Sequence, residues 1–460
     1  MSELTEDEAR QLVRSITQVM EMARHAIPPF VPPITQRLRS HLGTDGSVPN
    51  TSTTFNTIER SNLQLALDRL HLLDPEWAEI GLAADIGNYG GASLPSFVAG
   101  SFHGPADTAR QFVSVQVSDH ETVRCLQAGV VLTVHDGAPV AAMLYQSDRR
   151  GPELVFEVAA HTQHAADAFL DRVKELMAEV NVLRGKVVTF AFGEYGGFGL
   201  AFTAVPRVER HEVILPAWQL DAIDEHAIGI SDVRERLLAA GQHVKRGLLL
   251  YGPPGTGKTH TVSYLIGRMP DRTTIILSGA SVGAVGQAGV LARKLAPATI
   301  VIEDVDLIGM DRGLPGGEHN PMLFQLLNEM DGLQADDDVL FVLTTNRADL
   351  LEPALSARPG RIDQALEIGL PDAAGRRALF VLYLVDTVDE ASLEHAVART
   401  DGAAAAYIKE LARRATLRSI RADLPLGDAL VHTVDEMLRT ATPLLRAALA
   451  AGGSGGASVA

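Results

Sequence analysis

Residues 252–259 read Gly-Pro-Pro-Gly-Thr-Gly-Lys-Thr and follow the apolar run Gly247-Leu-Leu-Leu-Tyr251 directly. A strand running into a glycine-rich turn, with a helix behind it, is the setting in which a phosphate-binding loop works. Small residues let consecutive backbone N–H groups converge on an anion. Lys258 is placed to reach β- and γ-phosphates, and the Thr259 hydroxyl to hold Mg²⁺. The residues expected to hold the nucleotide are therefore Gly252, Pro253, Pro254, Gly255, Thr256, Gly257, Lys258 and Thr259. An eight-residue glycine turn also arises by chance, so the reading depends on the downstream segments.

Those segments are consistent with it. Ala298-Thr-Ile-Val-Ile302 is a short apolar run that ends in Glu303-Asp304. A buried strand that delivers two carboxylates at its C-terminal end suits phosphoryl chemistry: one carboxylate serves the Mg²⁺ shell and the next polarises the attacking water. Without the upstream loop, the same residues would read as an ordinary acidic strand end. Val339-Leu-Phe-Val-Leu-Thr-Thr-Asn346 is a second buried strand with a polar tip. Asn346 could orient that water or contact the γ-phosphate, or it could simply end a strand. Arg358-Pro-Gly-Arg361 comes next. Two arginines this close can make surface salt bridges, but they can also supply positive charge to a neighbouring subunit's phosphates.

With Leu326-Leu-Asn-Glu-Met-Asp-Gly332, Thr344-Thr-Asn346 and Arg358-Pro-Gly-Arg-Ile-Asp363 added, the region resembles the AAA ATPases of the classical clade. That clade includes the membrane protease FtsH, the valosin-containing-protein segregases and the proteasomal ATPases. The resemblance covers about residues 225–420. It implies an α/β P-loop NTPase with a parallel αβα sheet and a small helical lid, using ATP and Mg²⁺. It further implies that Asp304 and Glu303 are the carboxylates of hydrolysis, with Glu303 and Thr259 on the metal side, and that Asn346 senses the γ-phosphate. By the same resemblance, Arg358 and Arg361 act on the next subunit in a ring, usually a hexamer. Asp331-Gly332 falls where the clade signals between subunits, Ile228 and Gly229 near the adenine pocket, and Thr400–Ala406 at the start of the lid helix.

Two features depart from the clade. The usual order is Asp then Glu, whereas here it is Glu303 then Asp304. The swap lengthens the metal-side carboxylate and shortens the base by one methylene, which a water can bridge at some loss of rate. This order, with Lys245-Arg-Gly247 ahead of the loop, is similar to the mitochondrial AAA translocases of respiratory-chain assembly. Secondly, the segment after Ser278-Gly279 normally offers an aromatic side chain to a threaded polypeptide. Here it reads Ala280-Ser-Val-Gly-Ala-Val-Gly-Gln-Ala-Gly289, with little area to grip a passing chain.

At 460 residues, 46% of them hydrophobic, the chain has ample core for about three domains. Its net charge of −17 disfavours nucleic acid as a partner. The single cysteine, Cys125, excludes an internal disulfide framework and fits a reducing compartment. No signal-like start and no long apolar run is present, so a cytoplasmic protein without a transmembrane segment is expected. The expected organisation is an N-terminal helical segment and polar linker over 1–57, then an α+β domain over 58–215. The large ATPase subdomain comes next over 216–380, then a helical lid over 381–450, and a flexible tail over 451–460. Within 58–215 the pattern predicts strands over 111–117, 129–135, 138–145, 153–158, 186–192, 199–205 and 211–215. It also predicts a helix over 162–183 with Phe169, Val173, Leu176, Met177 and Val180 on its apolar face. The expected function is an ATP-hydrolysing ring that remodels or moves a protein client recruited by its N-terminal domain. The alternative is a scaffold whose assembly is timed by ATP binding and hydrolysis.

Overall fold

The computed structural model describes residues 11, 13–18, 31–44, 46–88, 91–102, 106–118, 121–147, 153–192, 198–308, 321–347, 362–384 and 387–440. It divides the chain into two compact units, Met1–Val182 and Leu183–Ala460. Among the described residues, no helix is long and apolar enough to cross a membrane.

The N-terminal unit begins with helix α1 (Pro33–Leu42), followed by strand β1 (Asn50–Asn56), α2 (Arg60–His71), β2 (Ala78–Leu82) and α3 (Leu94–Ala99). Strands β3 (Ala106–Thr108), β4 (Phe112–Gln116), β5 (Thr122–Leu126), β6 (Gly129–His135), β7 (Ala138–Ser147) and β8 (Glu153–Ala160) come next, then α4 (Gln163–Glu179). An antiparallel sheet runs in the order β1-β8-β7-β6-β2-β3, while β4 and β5 form a separate hairpin. Asp136 and Gly137, both at positive φ, turn β6 into β7, and Asp-Gly is the pair that a two-residue hairpin loop favours.

The sheet is covered on both faces, which is why β6 and β7 read as nearly continuous apolar runs. Val131, Val140, Ala142 and Leu144 pack against Leu63 and Leu67 of α2 and Phe169 and Val173 of α4. Their neighbours Val130, Leu132, Ala141 and Met143 pack against Ile34 and Leu38 of α1 and Phe97 of α3.

The second unit opens with β9 (Val187–Phe192) and β10 (Phe198–Phe202), then α5 (Ala217–Asp224). Strands and helices then alternate: β11 (Arg246–Tyr251), α6 (Lys258–Arg268), β12 (Thr273–Leu277), α7 (Val285–Lys294), β13 (Ala298–Ile302), α8 (Val305–Ile308), α9 (Pro321–Asp331), β14 (Val339–Thr345) and β15 (Gln364–Glu367). The seven-stranded order is β10-β9-β12-β13-β14-β11-β15, parallel except for the antiparallel pair β10 and β9. β11, β13 and β14 are buried along almost their whole length, as the centre of a sheet covered by helices requires. Helices α10 (Ala373–Tyr383), α11 (Glu390–Arg399), α12 (Ala405–Ala422) and α13 (Leu426–Thr440) share one core built on Phe380, Leu393, Ile408, Leu411 and Leu430.

Several boundaries differ from the sequence expectation. Part of the predicted linker is β1, which pairs in full with β8; its Thr-, Ser- and Asn-rich composition suits a half-exposed edge strand. The strands expected over 186–192 and 199–205 exist but are not part of the N-terminal sheet. β9 lies beside β12 in the second unit, so that unit begins well before residue 216. Residues 211–215 are not a strand: a short helical turn, Arg210–Glu212, leads into an extended stretch. The helical group begins at Ala373 rather than 381. The helix expected over 162–183 is α4, with Phe169, Val173, Leu176 and Met177 buried. Of the N-terminal helical segment, which the sequence spacing places at 4–26, residues 11 and 13–18 are helical and the others lie outside the described residues. The stretch Gly193-Glu-Tyr-Gly-Gly197, whose glycines suit a turn between the strands expected on either side, lies outside them as well.

At the N-terminal ends of the central strands, Asp338 accepts from Arg246 Nη1 (3.1 Å) and Arg272 Nη1 (2.8 Å), with all three side chains at most 5% exposed. Arg272 also donates to the carbonyls of Ala298 (2.6 Å) and Asp338 (3.1 Å). One carboxylate thus joins the starts of β11, β12 and β14. Burial and the nearby Arg272 charge bring the Arg246 pKa down to about 10 despite Asp338. Asp338→Ala would leave two guanidinium groups facing each other without an acid between them. It is expected to destabilise this unit by about 3–5 kcal/mol, read from urea unfolding of the full chain.

Candidate active site

The C-terminal ends of β11, β14 and β13 lie along one edge of the sheet, and the residues just beyond each of them build the site. After β11, Gly252 N–H donates to Thr345 O (3.3 Å). Gly252 has φ +145°, and a Cβ there would sit 2.3 Å from Ile368 O, so only glycine fits. Gly255 and Gly257 also take positive φ, at +77° and +110°. Thr256 Oγ1 donates to Pro253 O (2.9 Å) across the loop, and Thr261 N–H to Gly257 O (2.8 Å) as α6 begins. The loop therefore delivers the N-terminus of an eleven-residue helix, whose unpaired first-turn amides favour an anion.

Lys258 is only 7% exposed. Its ammonium donates to Gly252 O (2.8 Å), Pro253 O (2.9 Å) and Asn346 Oδ1 (2.9 Å). Burial lowers its pKa, while the charges of Asp304 and Asp306 work in the opposite direction. Asn346 Nδ2 donates to Asp304 Oδ1 (3.3 Å). Asp306 Oδ1 accepts from Asn346 N–H (3.0 Å) and Thr345 Oγ1 (2.8 Å), which fixes the tip of β14. Asp304 sits at φ +50° and donates its N–H to Thr344 Oγ1 (3.1 Å). Left-handed backbone at a non-glycine residue costs on the order of 1 kcal/mol and persists where its surroundings enforce it. Lys258, Asn346 and Asp304 thus form one continuous hydrogen-bonded series.

This series faces a cavity of about 410 Å³. Residues 254–261 form its floor, Asp304 and Asn346 one wall, and Val213, Ile214, Leu215, Leu379 and Tyr383 an apolar wall. Ala405, Ala406 and Lys409 of α12 complete it. Ala406 N–H donates to Gly255 O (2.9 Å), so α12 starts directly on the glycine loop. The positive-φ glycines, the buried ammonium and the carboxylate beside Asn346 fit a nucleotide triphosphate, with Thr259 and a neighbouring carboxylate as Mg²⁺ ligands.

Of the residues singled out in the sequence, Pro254, Gly255, Thr256, Gly257, Lys258, Thr259, Asp304 and Asn346 line this cavity. Glu303 continues the β13 ladder through its N–H to Leu277 O (3.0 Å) and does not line the cavity. Ile228 and Gly229 do not line it either. They belong to an irregular helical turn, Glu225–Gly229, held through the Ala227 carbonyl to Arg246. The apolar lining comes instead from Val213, Ile214, Leu215, Leu379 and Tyr383. Arg358 and Arg361 lie outside the described residues. Asp363, at the end of their motif, accepts from Gly247 N–H (3.0 Å) and donates its own N–H to Gly247 O (3.0 Å). Asp331 and Gly332 end α9 and are exposed. In the segment 280–289, Val282 and Val285 are buried rather than presented to solvent.

Asp306 was not foreseen. Its one signal is a carboxylate two residues beyond Asp304, at the start of α8. Tyr383 carries no motif, only a helical spacing of four from Leu379.

Residues 248–370 match the family described as "ATPase family associated with various cellular activities (AAA)". The chain is 34% identical over 242 residues to a proteasome-activating nucleotidase of Methanopyrus kandleri, which is 48% of this chain and 54% of that protein. It is 35% identical to the ATP-dependent zinc metalloprotease FtsH 4 of Sphaerobacter thermophilus, over 40% of this chain and 30% of that protein. To the human ATPase family gene 2 protein homolog A it is 33% identical, over 45% of this chain and 25% of that protein. The chain spans about half the length, or less, of these relatives.

Proposed function

We propose that this chain, which carries an AAA ATPase domain, hydrolyses ATP as a ring of its own copies and uses turnover to remodel or move a protein client. The observation that carries the reading is the Lys258–Asn346–Asp304 series over the glycine loop. In hydrolysis a water oxygen forms a bond to the γ-phosphorus while the bond from that phosphorus to the β–γ bridging oxygen breaks, leaving ADP and phosphate. Asp304 would take the water's proton, and Asn346, bonded to that carboxylate, would hold it and the water in line. Lys258 exchanges the loop carbonyls for phosphate oxygens and so meets negative charge at the moment it is needed. Mg²⁺ would be held by Thr259 and, through water, by Glu303, which adjoins Asp304 outside the cavity lining, and it would neutralise the phosphates.

The ring and the trans-acting arginines Arg358 and Arg361 rest on the family resemblance, and a hexamer is the usual form. The N-terminal unit has two hydrophobic cores of its own, which supports assigning it the recruitment of the client. The buried Val282 and Val285 favour acting on a folded partner over threading an extended chain. A cytoplasmic location is part of the same proposal.

The test is a pair of variants. Asp304→Asn should keep ATP affinity and lower turnover by about 10²-fold, the scale of a lost general base. Glu303→Gln should lose Mg²⁺-dependent affinity as well. The opposite pattern in steady-state ATPase and calorimetric titrations would exchange the two roles. Full activity in both variants would remove the hydrolytic reading.

A further inference from the structure

Strand β13 leaves its sheet through an unusual bond. Successive N–H groups along a strand face its two neighbours in turn. The Glu303 N–H goes to a carbonyl of β12, that of Leu277 (3.0 Å). The Asp304 N–H goes instead to a side chain of β14, Thr344 Oγ1 (3.1 Å). Thr344 is 1% exposed. The adjoining Thr345, also buried, donates its hydroxyl to Asp306 Oδ1 (2.8 Å). Two neighbouring hydroxyls of β14 therefore hold the backbone of Asp304 and the carboxylate of Asp306.

Between those anchors the chain bends at Asp304, where φ is +50°. Side chains other than glycine seldom adopt this conformation, although aspartate tolerates it better than most. The bend redirects the side chain. Asp304 lines the cavity and accepts from Asn346 Nδ2 (3.3 Å), whereas Glu303, one residue earlier, does not line it. An aspartate is one methylene shorter than the glutamate found at this place in the clade. Here the backbone supplies the reach that the side chain lacks.

We propose that Thr344 is a positioning residue of hydrolysis, whose hydroxyl holds Asp304 in its left-handed conformation and so aims the short carboxylate at the attacking water. Thr344 does not line the cavity, so its effect passes through Asp304 and leaves nucleotide binding untouched. The inference rests on the reading of Asp304 as the base.

The experiment measures turnover at saturating MgATP, and ATP affinity by calorimetry, in the full chain. The variants are Thr344→Val, Thr344→Ala, Thr344→Ser, Asp304→Asn and the double variant Thr344→Val with Asp304→Asn. Thr344→Val keeps the shape and removes the acceptor. It should lower kcat by about tenfold, the scale of one hydrogen bond, with ATP affinity within about twofold of wild type. Thr344→Ser should restore most of the rate. In the Asp304→Asn background the valine should cost little more, because the group it positions is already disabled. Thr344→Ala removes the same acceptor and serves where the valine variant does not fold; melts without nucleotide establish which variants do. Wild-type kcat in a folded Thr344→Val or Thr344→Ala, alongside lost turnover in Asp304→Asn, overturns this inference alone. So does an equal loss in both backgrounds, or a loss of affinity in place of rate. Full turnover in Asp304→Asn overturns the reading of Asp304 as the base, and this inference with it.

Discussion

Lys258→Ala is expected to lower ATP affinity by about 10³-fold or more. An ammonium that donates to two phosphate oxygens contributes roughly 2 kcal/mol per charge-assisted bond, and about 4 kcal/mol corresponds to three decades in Kd. In the structure the same ammonium donates to Gly252 O, Pro253 O and Asn346 Oδ1. Binding therefore exchanges these partners for phosphate oxygens, and the alanine variant loses both sets. Its folded state should remain, because the loop carbonyls border a cavity that water can enter. The check is titration with ATP beside a thermal melt without it. Wild-type affinity in a folded variant would remove the site's principal claim.

The second large effect concerns Arg358. If it acts on the neighbouring subunit's nucleotide, Arg358→Ala should bind ATP nearly as well as wild type while turning over about 10³-fold more slowly, the scale of a lost arginine finger. Mixing it with Lys258→Ala should partly restore hydrolysis, because some mixed rings place an intact pocket beside an intact finger. Light scattering with ATP present verifies that mixed rings form. Mixed rings without recovered turnover would sink the trans assignment and most of the case for an obligate ring.

The two kinds of site residue differed in how far the sequence revealed them. Phosphate and metal chemistry demands particular residue types at fixed spacings, so the glycine loop, Lys258, Asp304 and Asn346 could be read directly. The apolar wall demands only shape. Val213–Leu215 come from an extended stretch and Tyr383 from a distant helix, and nothing in their local pattern separates them from ordinary core. Ile228 and Gly229 were expected near the adenine by resemblance alone, and they lie on the turn Glu225–Gly229, outside the cavity lining.

The fold divides in a similar way. The strands over 187–192 and 198–202 were visible as apolar runs, but their sheet was not, because β9 pairs with residues far downstream. β1 was missed because an edge strand need not look apolar, and most of its residues are polar.

The bond between α12 and the phosphate loop has a mechanical meaning. The first-turn amides of a helix have no partner within it, and here one of them, on Ala406, is given to Gly255. A Cβ on Gly255 would already stand 3.2 Å from the Ala406 methyl, so the two backbones meet without slack. Any rearrangement of Gly255 must break this bond or carry α12 with it. The core shared by α10, α11, α12 and α13 makes that helix part of a stiff body. The connection is a direct drive: loop and lever are joined at a single pin, with no intervening gear to absorb the stroke.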